Sequence, residues 1–113
     1  AYPERIQSGV KPLDFSKITD FSFSVPEAQR YPCLALAKQA FDAGQYATTV
    51  LNAANEIAVD AFLQGKIRFP HIAQLNAQVM EDFSQQCLPD LESIVAFDQE
   101  ARIAAKSYLK RMD

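Results

Sequence analysis

Leu51-Asn52-Ala53-Ala54-Asn55-Glu56-Ile57-Ala58-Val59-Asp60-Ala61-Phe62-Leu63 is the stretch that decides how this chain folds. Wound at about 100° per residue, it places Val50, Ala53, Ala54, Ile57, Ala58 and Ala61 on one broad face. Val59 and Leu63 fall on the other side among Asn52, Glu56 and Asp60, so the pattern predicts a central helix covered on more than one side. The alanines let a neighbouring helix approach closely, and the amides of Asn52 and Asn55 then need hydrogen-bond partners. Asn52, Asn55 and Glu56 read as ties between helices and loops. A metal or ligand site is the competing reading, but one Glu and two amides are too few strong ligands, and the sole histidine, His71, lies elsewhere.

Working outward, Pro32 suits the first turn of a preceding helix in which Leu34, Ala37, Ala40 and Phe41 recur at helical spacing until Gly44 ends it. Thr48 or Thr49 is the expected cap of the central helix, which runs to about Gln64 and is closed by Gly65 in the left-handed conformation. Pro70 opens a third helix with an apolar stripe of Ile72, Leu75, Val79 and Phe83, and with Gln74, Gln78, Glu81 and Asp82 turned outward. Ser84 to Phe97 is expected to be a loop around Pro89, offering Leu91, Ile94, Val95 and Phe97 to plug the bundle or form a short extra turn. Asp98 is the expected N-cap of a last helix facing inward through Ala101, Ala104, Ala105, Tyr108, Leu109 and Met112, with Arg102, Lys106 and Lys110 opposite. The expected fold class is therefore mainly α, an antiparallel four-helix bundle over residues 31–113.

Residues 1–30 read differently. Pro3, Pro12 and Pro26, with Gly9 and several serines, argue for extended or turning backbone. Phe21-Ser22-Phe23-Ser24-Val25 alternates with period two and predicts one short strand. A lone strand leaves its backbone groups unpaired, so its expected neighbours belong to sequence outside this chain. The opening Ala1-Tyr2-Pro3-Glu4-Arg5 carries neither an initiator Met nor a signal peptide, which also reads as the interior of a longer protein.

With 113 residues, 49% of them hydrophobic, the chain suffices for one modest core. A net charge of −3 offers no basic field for nucleic acid. The longest apolar run, Ile57 to Leu63, is interrupted by Asp60 and far shorter than the roughly 20 residues of a membrane span; a soluble cytoplasmic protein is expected. Cys33 and Cys87 read as free, buried thiols, with no zinc spacing and no pairing with His71 that suggests a nucleophile. His71 reads as a solvated first-turn residue. Asp90 with Glu92, and Asp98 with Glu100, resemble carboxylate pairs, but acidic residues near helix starts already have a capping role. Gly9, Gly44 and Gly65 are isolated, so no phosphate loop forms. The basic stripe Arg102, Lys106, Lys110 and Arg111, balanced by Glu100 and Asp113, reads as a solvated face.

Four blocks in order carry a resemblance: Tyr2-Pro3-Glu4-Arg5; Ser8-Gly9-Val10-Lys11-Pro12-Leu13-Asp14-Phe15; Arg30-Tyr31-Pro32-Cys33-Leu34; and Val50 to Val59. Together they resemble the C-terminal third of bacterial 1-deoxy-D-xylulose 5-phosphate reductoisomerases. The resemblance implies an NADPH-dependent, Mg- or Mn-dependent enzyme that makes 2-C-methyl-D-erythritol 4-phosphate in non-mevalonate isoprenoid synthesis, within the bacterial cytoplasm. It implies that residues 1–30 are the end of the catalytic domain and a connecting arm, and that 31–113 are a C-terminal bundle supporting that domain. The family's metal carboxylates, its Ser, Asn and Lys phosphate cluster and its Trp-bearing loop match sequence before Ala1. No catalytic, cofactor or metal residue is therefore carried onto this chain, and the part in hand is expected to be inactive alone. Expected partners are the catalytic domain of the same enzyme and, through the arm, a second copy; no nucleic acid and no membrane are expected. The alternative reading is a free-standing helical interaction module that recruits a partner through Phe15, Ile18, Phe21 and Phe23.

Overall fold

A computed structural model describes residues 3, 4, 6–18 and 20–112, the last by its backbone alone. Four helices follow an arm: α1 (Pro32–Ala43), α2 (Gln45–Leu63), α3 (Phe69–Asp82) and α4 (Leu91–Met112). Helix α2 packs against each of the other three, as its two-sided pattern requires. Its Val50, Ala53, Ala54, Ala58 and Ala61 are buried with Ile72, Leu75 and Val79 of α3 and Phe97, Ala101 and Ala105 of α4. Small α2 side chains face larger ones, which lets the helices approach α2 closely. Leu63, expected to be covered, is exposed at the C-terminal end of α2.

Gly44 alone separates α1 from α2, with φ of +108°. Its N–H donates to the Ala40 carbonyl at the end of α1, while its own carbonyl accepts from Thr48 N–H at the start of α2. A backbone of that handedness is costly for any residue with a Cβ, which is why one glycine can serve both helix ends. The expected threonine caps are corrected by this geometry. The hydroxyls of Thr48 and Thr49 both donate to the Gln45 carbonyl, 2.9 Å away, from inside the first turn. At the other end Gly65, at φ +73°, closes α2 as expected. Lys66 N–H donates to Ala61 and Gly65 N–H to Phe62, the paired bonds of a Schellman ending.

Helix α4 begins eight residues before the expected start. The Asp90 carboxylate accepts from Ser93 N–H at 2.8 Å and the Ser93 hydroxyl oxygen accepts from Asp90 N–H at 3.3 Å, a reciprocal cap that initiates the helix directly after Pro89. Asp98 is therefore an interior residue, and Phe97 belongs to the helix face, edge-on to Phe83 with ring centres 5.2 Å apart. Ile94 is half-buried there, whereas Leu91 and Val95 are exposed. The backbone and side-chain bonds from Ser93 hold the Asp90 carboxyl below its ordinary value. Because the folded value is depressed, this stabilisation is present above the ordinary carboxylate range and is lost as pH falls through the folded value. Asp90→Ala is expected to lower the melting temperature at neutral pH and to remove that part of the acid dependence; melting curves at neutral pH and at about pH 3 check both.

On α4, Ala101 and Ala105 are buried while Ala104, Tyr108 and Leu109 are half-buried. The Tyr108 hydroxyl donates to Asp82 at 2.8 Å, joining the C-terminal ends of α3 and α4. The Met112 side chain and Asp113, both assigned from the sequence, lie outside the described residues.

The arm forms no β-ladder among the described residues, and the expected strand is corrected accordingly. Phe21, Phe23 and Val25 are 60%, 93% and 90% exposed. Period-two alternation only states which residues would share a face; a strand also needs a neighbour to hydrogen-bond with, and none lies alongside. The arm's regular element is a single 3₁₀ turn, Phe15–Lys17, capped by the Asp14 carboxylate. The Cα radius of gyration is 19.0 Å, well above the ~13 Å of a compact chain of this length, because the arm stands away from the bundle.

Candidate functional site

Polar chemistry is concentrated at two seams of α2. On the α4 side, the Arg102 guanidinium donates from Nε to Asp98 at 2.6 Å and from Nη2 to Glu56 at 2.7 Å. Asp98 lies one turn before Arg102 on α4, and Glu56 comes from the facing helix. The carboxylate of Asp98 first, then that of Glu56, holds the guanidinium even more firmly protonated than usual. Asn52 donates to the second Glu56 oxygen at 3.4 Å. The expected tie between helices is thus present for Glu56, whereas Asn52 bonds along its own helix. Arg102 is corrected from the solvated stripe to this seam, since its long side chain can lie along α4 and reach across to α2. Both carboxylates are engaged by the one guanidinium, so the seam holds α2 and α4 together.

On the α3 side, the Asn76 amide nitrogen donates to the Asn55 side-chain oxygen at 3.0 Å. Asn76 is 1% exposed, and its own side-chain oxygen has no hydrogen-bond partner among the described residues. An unsatisfied buried carbonyl is uncommon and costs about 1–3 kcal/mol. Above this pair runs a groove of about 450 Å³ between α1 and α2, lined by Cys33, Ala37, Phe41, Thr48, Leu51, Asn52, Asn55 and Asn76. The sequence reading missed Asn76. The signal was available: four residues after Ile72 and three before Val79, it sits inside the apolar stripe of α3.

Helix α1 leaves this groove open. Only Ala40 of its expected inward set is buried; Leu34, Ala37 and Phe41 are exposed. A periodic apolar face states that something covers it, and here the bundle does not. A second concavity, of about 390 Å³, lies between the starts of α1 and α3 and includes Tyr31, Pro32, Leu34, Phe69 and Pro70. With Ile6, Val10, Leu13, Phe15, Phe21, Phe23 and Val25 of the arm also exposed, the apolar surface is far larger than scattered residues provide.

The remaining candidates are dispersed. Cys33 lies on the uncovered side of α1, and Cys87 lies in the α3–α4 connection, where Leu88 takes the buried position. Both thiols are exposed, correcting the expectation of packed cysteines. The His71 Nδ1 accepts from Arg68 N–H at 3.3 Å, which gives it a role at the start of α3. Glu92 and Glu100 are exposed on α4, as are Lys106, Lys110 and Arg111, and the Arg111 guanidinium lies over the Tyr108 ring. No three His, Cys, Asp or Glu side chains converge into a metal-binding group among the described residues. No helix is long and apolar enough to cross a membrane among those residues.

Comparison with known proteins gives a consistent result. Residues 1–104 match the family described as DXP reductoisomerase C-terminal domain. The chain is 53% identical over 111 residues to the 1-deoxy-D-xylulose 5-phosphate reductoisomerase of Tolumonas auensis, covering 98% of this chain and 28% of that protein. To the enzyme of the same name from Shewanella sediminis it is 50% identical over 112 residues, again covering 28% of the relative. Among solved structures, a DOX-P reductoisomerase in complex with NADPH, fosmidomycin and magnesium superimposes with a TM-score of 0.93 at 38% identity, over 99% of this chain and 30% of that one. The Zymomonas mobilis enzyme in complex with NADPH gives 0.87 at 38% identity, over 96% of this chain and 29% of that one. The chain thus spans somewhat under a third of the length of the proteins it matches.

Proposed function

This chain belongs to the 1-deoxy-D-xylulose 5-phosphate reductoisomerase family, matching its C-terminal domain, and from that premise we propose that it is the supporting domain of an NADPH- and divalent-metal-dependent reductoisomerase. The whole protein converts 1-deoxy-D-xylulose 5-phosphate to 2-C-methyl-D-erythritol 4-phosphate in the bacterial cytoplasm. Residues 1–30 are the end of the catalytic domain and its connection, and residues 31–113 are the helical domain that rests against it. The observation that carries this reading is the set of large apolar side chains on the arm and α1 that are exposed in this chain and suited to burial against the rest of the polypeptide. Detached, the same arm offers unpaired backbone and aromatic side chains to a second copy, so self-association is expected at high concentration.

The catalytic groups and the sites for NADPH and Mg or Mn belong to the remaining polypeptide. The reading is supported by the pairing of Glu56 and Asp98 with Arg102, which occupies the acidic side chains of the α2–α4 seam. Purified residues 1–113 are therefore expected to give no substrate-dependent loss of NADPH absorbance with Mg or Mn, while the longer protein containing them turns over. Measurable turnover by the isolated chain would overturn the assignment.

A further inference from the structure

We propose that the outer face of α4 is a self-complementary docking surface, on which a second copy of the enzyme lays its own α4 antiparallel, about a two-fold axis at Gln99. The inference rests on the reading that the arm and α1 are turned toward the rest of the longer protein, and it goes beyond that reading to the other side of the bundle. Helix α4 touches α2 and α3 but not α1 among the described residues, so burial of α1 leaves the outer face of α4 free. Val95 and Ile103 are 51% and 68% exposed there. Wound at about 100° per residue, Glu92, Val95, Gln99, Ile103, Lys106 and Lys110 form one exposed stripe opposite the buried Phe97, Ala101 and Ala105. They follow one another at steps of three and four residues, the spacing of a seam between two helices.

The order of charges along the stripe identifies the occupant. The exposed acid Glu92 comes first and the exposed bases Lys106 and Lys110 come last. A parallel copy would set like charges against each other, whereas an antiparallel copy sets opposite charges together. With the axis at Gln99, residues equally far before and after it meet: Glu92 faces the partner's Lys106 and Val95 faces the partner's Ile103, each contact being made twice by the symmetry. Gln99 meets the partner's Gln99, and a carboxamide both donates and accepts. Antiparallel alignment also sets the two helix dipoles head to tail. A like-charge approach, Glu100 toward the partner's Glu100, lies about 80° off the line of contact, at its wet margin. Apolar pairs flanked by exposed ion pairs make a small surface, so the association is expected to be weak, reversible and sensitive to salt.

The test uses the full-length enzyme with a photoreactive phenylalanine analogue in place of Ile103, prepared as a mixture of isotopically light and heavy protein. Irradiation and peptide mapping are expected to give light-to-heavy crosslinks that join the α4 peptides of two copies. Sedimentation velocity over a concentration series is expected to show an association that Lys106→Glu weakens about tenfold, since the symmetry replaces two ion pairs by two like-charge pairs. Glu92→Lys combined with Lys106→Glu is expected to restore it, which a folding defect could not do, and both positions are exposed. Absence of α4-to-α4 crosslinks overturns the proposal, as does a double variant that associates as weakly as the single one. Hydrogen exchange of the Phe21–Val25 amides in the same sample separates this failure from that of the reading beneath it. Protected arm amides without an α4 crosslink sink the docking surface alone. A crosslink from position 103 to a part of its own subunit outside the bundle, with unprotected arm amides, sinks both.

Discussion

Leu75→Ala is expected to lower the unfolding free energy of the chain by about 3 kcal/mol, within the ~2–5 kcal/mol range for such truncations. Leu75 is fully buried and lies on α3 where that helix meets α2. Two terms add: the apolar atoms lose their transfer free energy, and the cavity they leave forfeits contacts that the neighbours cannot rebuild. Relaxation into the space is restricted, because the facing α2 surface is mostly alanine, whose side chains have no rotamers with which to fill a hole. The cost should therefore not fall at the low end of the range. A bundle of this size has only about 5–15 kcal/mol of stability in total, so the variant loses a large fraction of it. Urea titration followed by helical circular dichroism measures the effect. A loss below about 1 kcal/mol would mean that Leu75 is not in a packed core.

Ala54→Leu tests the opposite failure and is expected to cost about 1–3 kcal/mol by overpacking. Ala54 is fully buried at the middle of α2. Alanine and leucine have nearly equal helix propensity, so a loss cannot be assigned to the helix itself. Three added carbons have to displace a neighbouring helix or force a side chain out of its rotamer well. Ala35→Leu, on an exposed part of α1, is the control and should change stability by no more than about 0.5 kcal/mol. If the two substitutions behave alike in the same titration, the close approach of helices to α2 is not what its alanines provide.

The elements differ in how far they could be read from the residues, for reasons visible one by one. Pro32, Gly44, Gly65 and Pro70 act through their own backbone restrictions, so the helix boundaries they mark fall within a residue of expectation. The start of α4 was misplaced because Asp90 and Asp98 are both competent caps. The choice is made by Ser93, which returns the hydrogen bond to Asp90, and by Phe97, which has a ring of Phe83 to pack against. The threonine caps failed for a similar reason: Gly44 already had the conformation that starts α2, which left the two hydroxyls to bond backward. At the polar seams, Glu56 was identified as a tie while its partner Arg102 was assigned to solvent. A helical wheel registers the direction of a side chain, not the reach of a guanidinium across to the next helix.

By itself the sequence determined four helices, their order and the central place of α2, because proline, glycine and the 3.6-residue apolar period act over a few neighbours along the chain. Tertiary structure alone decided which polar side chains meet, that Asn76 is buried with an acceptor to spare, and that the arm and α1 remain uncovered. Hydrogen-bond partners 21 or 46 residues apart, and the solvent exposure of an apolar face, depend on which helices lie against one another, and no local pattern encodes that.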